Sequence, residues 1–136
     1  MAGSISYRSD VKITADDFID LLKRSTLGER RPVQDENRIQ KMLGHANVLV
    51  TAWDEDRLIG ISRALTDFSF CCYLSDLAVD QSYQHQGIGK ELVRLTHEAA
   101  GMESMLILLA APAATTYYPK IGMRHFEHCF VLDRKK

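Results

Sequence analysis

The chain contains 136 residues, 46% of them hydrophobic and 26% charged, and its formal net charge is −1. This composition is typical of a soluble globular protein with one domain, expected here over residues 1–136, and it provides no basic surface for nucleic acid or an anionic membrane. No segment approaches the ~18 apolar residues of a transmembrane helix, and residues 1–4 lack a signal-peptide pattern, so we expect a cytoplasmic protein.

The first half of the sequence predicts short strands and amphipathic helices. Thr14 precedes Asp17 by three residues, which is an N-cap pattern, and Phe18, Leu21 and Leu22 then form an apolar stripe. The predicted elements are a strand at 5–8, a helix from 14 to about 28, a helix at 35–43, strands at 47–53 and 57–65 joined by an acidic turn, and a strand at 73–79.

The second half predicts a central helix and the remaining strands. The predicted elements are a helix at 87–100 closed by Gly101, a buried strand at 105–110, a short helix at 113–120, and a final strand or bent pair of strands at 123–132. This order indicates an α+β fold in which helices flank one central mixed sheet.

The cysteines and histidines match no disulfide or metal pattern. Cys71, Cys72 and Cys129 are odd in number and contain no Cys-x-x-Cys spacing, so we expect small buried side chains. His125 and His128 would point to opposite faces of a strand, so we expect no metal site there.

Residues 77–93 are the most informative segment. They run from an apolar strand through a polar turn to Gly87 and Gly89, and then into a helix, an arrangement typical of phosphate binding by free backbone N–H groups. On these residues alone, a plain tight turn is an equal alternative. A dinucleotide fold needs a third glycine and a P-loop needs Ser or Thr after the lysine, but here Lys90 is followed by Glu91.

Residues 84–89, Gln-His-Gln-Gly-Ile-Gly, resemble the acyl-CoA-binding signature of the GNAT superfamily of N-acetyltransferases, Gln/Arg-x-x-Gly-x-Gly/Ala. Residues 114–123 resemble a second family segment, Ala-x-x-Phe-Tyr-Glu-Lys-Leu-Gly-Phe. The resemblance covers nearly the whole chain. It implies a central mixed, mostly antiparallel sheet flanked by about four helices, with the pantetheine arm between splayed fourth and fifth strands.

The resemblance also implies roles for individual residues. Backbone amides of residues 86–90 would hold the pyrophosphate, Gln84 would brace the turn, and Tyr118 would return a proton to the departing thiolate. A backbone N–H of residues 77–79 would polarise the thioester carbonyl, and Tyr117 would pack nearby. The implied coenzyme-binding residues are Leu77, Ala78, Val79, Gln84, His85, Gln86, Gly87, Ile88, Gly89, Lys90, Tyr117, Tyr118 and Lys120.

The sequence does not decide which residue is the general base. Asp76 is one candidate, Tyr73 or Ser75 acting through water is another, and a purely structural Asp76 is an alternative. Strand alternation places Tyr73 and Ser75 on one face and Asp76 on the other unless a bulge intervenes, as it often does in the family. Ala111 departs from the family, because relatives often have a pantetheine-binding Asn there.

The resemblance implies an acetyl-CoA-dependent N-acetyltransferase that needs no metal and transfers the acetyl group directly to an amine. The alternative is a non-catalytic acyl-CoA-binding module that regulates a partner. The acceptor is a small-molecule or protein amine, and in this fold its pocket is built by about residues 22–44 together with the region of the sixth strand. Residues 22–44 are mixed in charge and select no substrate, with Arg30 and Arg31 against Glu29, Asp35 and Glu36. Edge strands are compatible with a homodimer.

Overall fold

The computed structural model describes residues 4–135, and residues 1–3, used above in arguing against a signal peptide, lie outside it. None of the helices in this range is long and apolar enough to span a membrane. The elements are β1 (Ile5–Arg8), α1 (Ala15–Arg24), α2 (Glu36–His45), β2 (Val48–Asp54), β3 (Arg57–Thr66), β4 (Cys71–Val79), α3 (Ile88–Ala100), β5 (Met105–Ile107) and α4 (Tyr117–Lys120).

The five strands form one mixed sheet in the order β1-β2-β3-β4-β5. The first four strands pair antiparallel, with β2 and β3 forming the predicted hairpin, whereas β4 and β5 pair parallel. A parallel pair needs a long crossover, which α3 supplies between these two strands. The predicted α+β fold with a mixed, mostly antiparallel sheet is confirmed.

Helices cover both faces of the sheet and create two cores. The predicted N-cap of α1 is confirmed, since the Thr14 hydroxyl accepts a hydrogen bond from the backbone N–H of Asp17 at 3.1 Å. Phe18 and Leu22 of α1 are completely buried against one face of the sheet, as the apolar stripe predicts. On the opposite face, Ile88 and Leu92 of α3 pack against β2, β3 and β4.

A β-bulge interrupts the pairing of β3 with β4. Arg63 lies opposite Asp76 while the next residue, Ala64, lies opposite Leu74, so Ser75 is the extra residue on β4. The bulge shifts the side-chain alternation, because Leu74 and Leu77 both pack on the α3 face, three residues apart. Of the two alternatives that the sequence left open for residues 73–76, the structure therefore has the bulged one.

The C-terminal third differs most from the prediction. The strand expected at 105–110 is only three residues long and is not buried, since Met105 and Ile107 are 52% and 41% exposed. An apolar run predicts a strand covered on both sides, but β5 is the last strand of the sheet. The strand expected at 123–132 is absent from the described structure. These residues form irregular backbone without strand pairing, and Phe130 and Leu132 are exposed.

Other element predictions need smaller corrections. Helix α1 ends at Arg24, and Leu27–Arg30 forms a separate 3-10 turn rather than its continuation. The short helix expected at 113–120 is a 3-10 turn, Pro112–Ala114, followed by α4. Of the three cysteines, only Cys72 is buried, because the other two lie at the exposed end of β4 and in the C-terminal segment.

Candidate functional site

Strands β4 and β5 separate and leave a cleft between them. They pair only where residues 71–73 face residues 105–107, although β4 continues to Val79. The resulting cleft has a volume of about 490 Å³ and is lined by the second half of β4, residues 108–114, the α1–α2 connection and Tyr118. A volume of this order is suitable for a small-molecule or cofactor site.

The backbone of β4 forms one wall of this cleft. Leu77, Ala78 and Val79 all line it, and within residues 4–135 no strand pairs with their β5-side edge. Unpaired peptide groups at a strand edge can pair with another extended chain. At the end of this wall the side-chain amide of Gln84 donates to the carbonyl of Val79 at 3.0 Å, which braces the turn from β4 to α3.

The start of α3 presents backbone N–H groups three residues after Gln84, which is part of the cleft lining. Gly87 is the N-cap with φ of 81°, a left-handed conformation that favours glycine, and His85 just before it also has a positive φ of 67°. No side chain caps this helix, so its first-turn N–H groups are not satisfied by a capping residue. Such a turn is suited to an anion.

The two adjacent tyrosines face different parts of the site. Their rings meet edge to face at 5.1 Å between centroids. Tyr118 lines the cleft, whereas the hydroxyl of Tyr117 lies over Gly89 in the first turn of α3. Burial raises the pKa of Tyr118, an effect that the guanidinium of Arg31 opposes. The Tyr118 hydroxyl is therefore protonated at neutral pH and can donate a proton.

Asp76 lies outside the cleft lining, in a buried ion cluster. It has no exposed surface, and its two carboxylate oxygens accept hydrogen bonds from the Nε–H groups of Arg31 and Arg63. Arg31 also donates to the carbonyl of Ser75 at 2.7 Å, and Arg63 donates to the carbonyl of Met42 at 3.1 Å. These contacts give Asp76 no direct path to a proton in the cleft, so its role as base stays a prediction that its surroundings disfavour.

The other predicted residues divide into two groups. Ser75 and Ala111 line the cleft, whereas Tyr73 is outside the lining and partly exposed. His85, Gln86 and Lys120 are exposed and contribute no side chain to the cleft walls. Across residues 4–135, no group of His, Cys, Asp and Glu is arranged to hold a metal ion.

Arg31 was expected only as one of the mixed charges of the acceptor segment, and Arg63 was not predicted to be a site residue. Arg31 is 45 residues from its partner Asp76, and no local pattern links them. Arg63 does carry a signal, because it is a charged residue in the middle of a mostly apolar strand, where burial requires an ionic partner. Glu29, which was also expected only as one of the mixed charges of the acceptor segment, is a carboxylate of the cleft lining.

Comparisons with known proteins are consistent with this geometry. Residues 15–123 match the model of the acetyltransferase (GNAT) family. An uncharacterised N-acetyltransferase of Prochlorococcus marinus is 31% identical over 115 residues, which cover 78% of this chain and 62% of the relative, so the chain spans less than two thirds of that protein.

Solved structures share the fold over nearly the full length. A GNAT family acetyltransferase of Streptococcus pneumoniae has a TM-score of 0.78 at 22% identity, covering 98% of both chains. A probable acetyltransferase of Staphylococcus aureus has the same TM-score at 25% identity, covering 98% of this chain and 100% of the other.

Proposed function

Because the chain belongs to the GNAT family of acetyltransferases, we propose that it transfers an acetyl group from acetyl-CoA directly to an amine. The observation that carries this proposal is the cleft between β4 and β5, whose lining includes both Tyr118 and Gln84, three residues before the uncapped start of α3. In an acyl-CoA the pantetheine arm joins the pyrophosphate to the thioester, so a cleft bordered by Gln84 and Tyr118 would hold that arm.

The first turn of α3 would bind the pyrophosphate of the coenzyme. The backbone N–H groups of residues 86–90, helped by the positive end of the helix dipole, supply hydrogen bonds and partial charge without a lysine or arginine cluster. Gln84, in place of the arginine that many relatives have, supports the turn through Val79 and adds no charge.

The free edge of β4 would hold the pantetheine arm and polarise the thioester. Amides of the arm can pair with peptide groups of residues 77–79, as an added strand does. A fixed backbone N–H directed at the thioester oxygen stabilises the charge that develops in the transition state, an effect worth about 3 kcal/mol in comparable sites. Tyr118 would then donate its proton to the departing thiolate.

The acceptor must lose a proton before it attacks. A primary amine of pKa ~10.4 is neutral in only about one molecule in 2,500 at pH 7, a cost of about 4.6 kcal/mol. We assign proton removal to Glu29, directly or through water beside Ser75, because Glu29 is the carboxylate in the described cleft lining. Asp76 would serve a different purpose, which is to hold Arg31 in place.

The test is to mix the chain with acetyl-CoA and a panel of amines, to follow release of the coenzyme thiol and to identify the acetylated amine by mass spectrometry. Acetylation that Tyr118→Phe slows would support the proposal. Tight coenzyme binding without release of the coenzyme thiol in the presence of any amine would favour the alternative, a non-catalytic acyl-CoA-binding module. Ala111, which cannot supply the usual side-chain contact to pantetheine, is the residue that favours this alternative.

A further inference from the structure

Resting on the acetyl transfer proposed above, we infer that the acceptor is a small amine that also carries a carboxylate, and that Arg31 binds this carboxylate in the cleft. Arg31 lines the cleft and keeps 21% of its side-chain surface exposed, although it belongs to the buried ion cluster. It is therefore the member of that cluster that can reach a ligand, since Asp76 has no exposed surface and Arg63 lies outside the lining.

The guanidinium of Arg31 is held in a fixed position. It donates to the carboxylate of Asp76, to the carbonyl of Ser75 at 2.7 Å and to the carbonyl of Arg30 at 2.8 Å. Nε, Nη1 and Nη2 each make one of these three bonds, so Nη1 and Nη2 each keep one N–H group for a ligand. One carboxylate can accept from both of these nitrogens in a bidentate pair. A donor that is already oriented loses little conformational freedom when the ligand binds.

The balance of charge also favours an anionic group. Arg31 and Arg63 together face one carboxylate, that of Asp76, which leaves one positive charge in excess. In the lining itself, the charges of Arg30 and Glu29 cancel. This excess repels a simple monocationic amine, whereas an amine with its own carboxylate presents a complementary group to Arg31 and its ammonium to Glu29.

Arg31 is also near the reacting end of the cleft. Arg31 and Tyr118 both line the cleft, and the positive charge of Arg31 opposes the rise of the Tyr118 pKa caused by burial. A carboxylate on Arg31 would therefore leave the amine of the same small molecule near the thioester. Amino acids with the amine close to the carboxylate meet this requirement.

The first test compares matched acceptors on the unmodified protein. Several α-amino acids and β-alanine are each paired with their carboxamides, and kcat/KM is measured by thiol release at several pH values. We expect the carboxylates to be better acceptors by about tenfold to a hundredfold, the value of a charge-assisted hydrogen-bond pair. The amine of each carboxamide is less basic, so a larger share of it is neutral at a given pH. This difference favours the carboxamides and therefore works against the expected preference for carboxylates.

Two other results would be decisive. Equal or faster acetylation of the carboxamides would overturn this inference and leave the proposed acetyltransferase function intact. If the protein binds the coenzyme but acetylates no amine, then the proposed function fails, and the inference fails with it.

The second test changes the arginine. Arg31→Gln should abolish the preference for carboxylates mainly through a higher KM, while calorimetry shows unchanged binding of coenzyme A. The matched control is Arg94→Gln, because Arg94 lies on the exposed side of α3 and pairs only with Glu91 and Glu98 in the described structure. A carboxylate preference that persists in folded Arg31→Gln would contradict the assignment.

Arg31→Lys provides a second variant if the glutamine variant fails to fold. Lysine keeps the positive charge beside Asp76 but cannot form the bidentate pair, so we expect the carboxylate preference to fall without disappearing. A full preference in Arg31→Lys, with normal coenzyme binding, would overturn bidentate recognition by Arg31.

Discussion

The hydroxyl of Tyr117 lies over Gly89, so close that a Cβ atom added to this glycine would stand 2.7 Å from the phenolic oxygen. Burial raises the pKa of Tyr117, and a hydrogen bond with the backbone of Lys90 opposes that rise. The hydroxyl thus occupies space above the first turn of α3 that the proposed pyrophosphate needs. Coenzyme binding would require the ring to move.

Tyr117→Phe tests this relationship. If the hydroxyl competes with the pyrophosphate for the Lys90 amide, its removal should tighten coenzyme A binding by about two- to tenfold, the net value of one hydrogen bond. Turnover should change little, because Tyr118 is the tyrosine in the cleft. Calorimetry measures the affinity, and weaker binding in the variant would instead make the Tyr117 hydroxyl a ligand of the coenzyme.

The two glycines of the turn should differ in their responses to substitution. Gly89→Val places a side chain where both Tyr117 and the pyrophosphate need room, so we expect a large rise in the dissociation constant of acetyl-CoA with an intact fold. Gly87→Ala meets no neighbour but forces alanine to a φ of 81°, so its main effect should be a stability loss of about 1 kcal/mol. An unchanged affinity of folded Gly89→Val for acetyl-CoA would show that the first turn of α3 does not bind the pyrophosphate.

Tyr118→Phe should reduce turnover by about tenfold to a thousandfold and leave coenzyme affinity nearly unchanged, because only the proton for the thiolate is lost. The pH profile gives a second measurement. The hydroxyl must be protonated to act, and its pKa is raised by burial, so activity should persist above the ordinary tyrosine pKa of about 10 before it declines. A decline below that pH that disappears in Tyr118→Phe would contradict this role.

Local patterns in the sequence predicted correctly where two helices begin. The cap formed by Thr14 and the helix start at Gly87 depend on residues within one turn, where spacing determines geometry. The cluster of Arg31, Arg63 and Asp76 depends instead on how the α1–α2 connection crosses β4, which periodicity does not encode. The position of the bulge at Ser75 likewise follows from pairing between strands.

The C-terminal segment shows a second limit of sequence patterns. Residues 105–110 are apolar enough for a buried strand, but burial requires a neighbouring element, and β5 has no strand on its outer side within residues 4–135. Farther along the chain, Leu109 and Phe126 are also 54% and 40% exposed. A hydrophobic run therefore predicts a strand more reliably than it predicts what covers that strand.

Asp76→Asn should act mainly on stability. Removing this carboxylate leaves two guanidiniums close together in a buried site, and breaking such a cluster costs about 3–5 kcal/mol. Urea unfolding measures the loss. Activity should fall at every pH because Arg31 loses its support, whereas a loss confined to neutral pH and recovered at high pH would restore Asp76 as the general base.

Glu29→Gln, unlike Asp76→Asn, should lower activity at neutral pH and recover it at high pH. Glutamine cannot accept the ammonium proton, so kcat/KM at pH 7 should fall by about a hundredfold, the usual contribution of a general base. At pH 10 a larger share of the acceptor is already neutral, so most of the rate should return. Stability should change little, because the side chain is exposed.

The control is Glu36→Gln on the exposed first turn of α2, outside the cleft lining. If folded Glu29→Gln keeps the pH profile of the unmodified chain, then Glu29 is not the base, and water beside Ser75 becomes the proton acceptor to test next with Ser75→Ala.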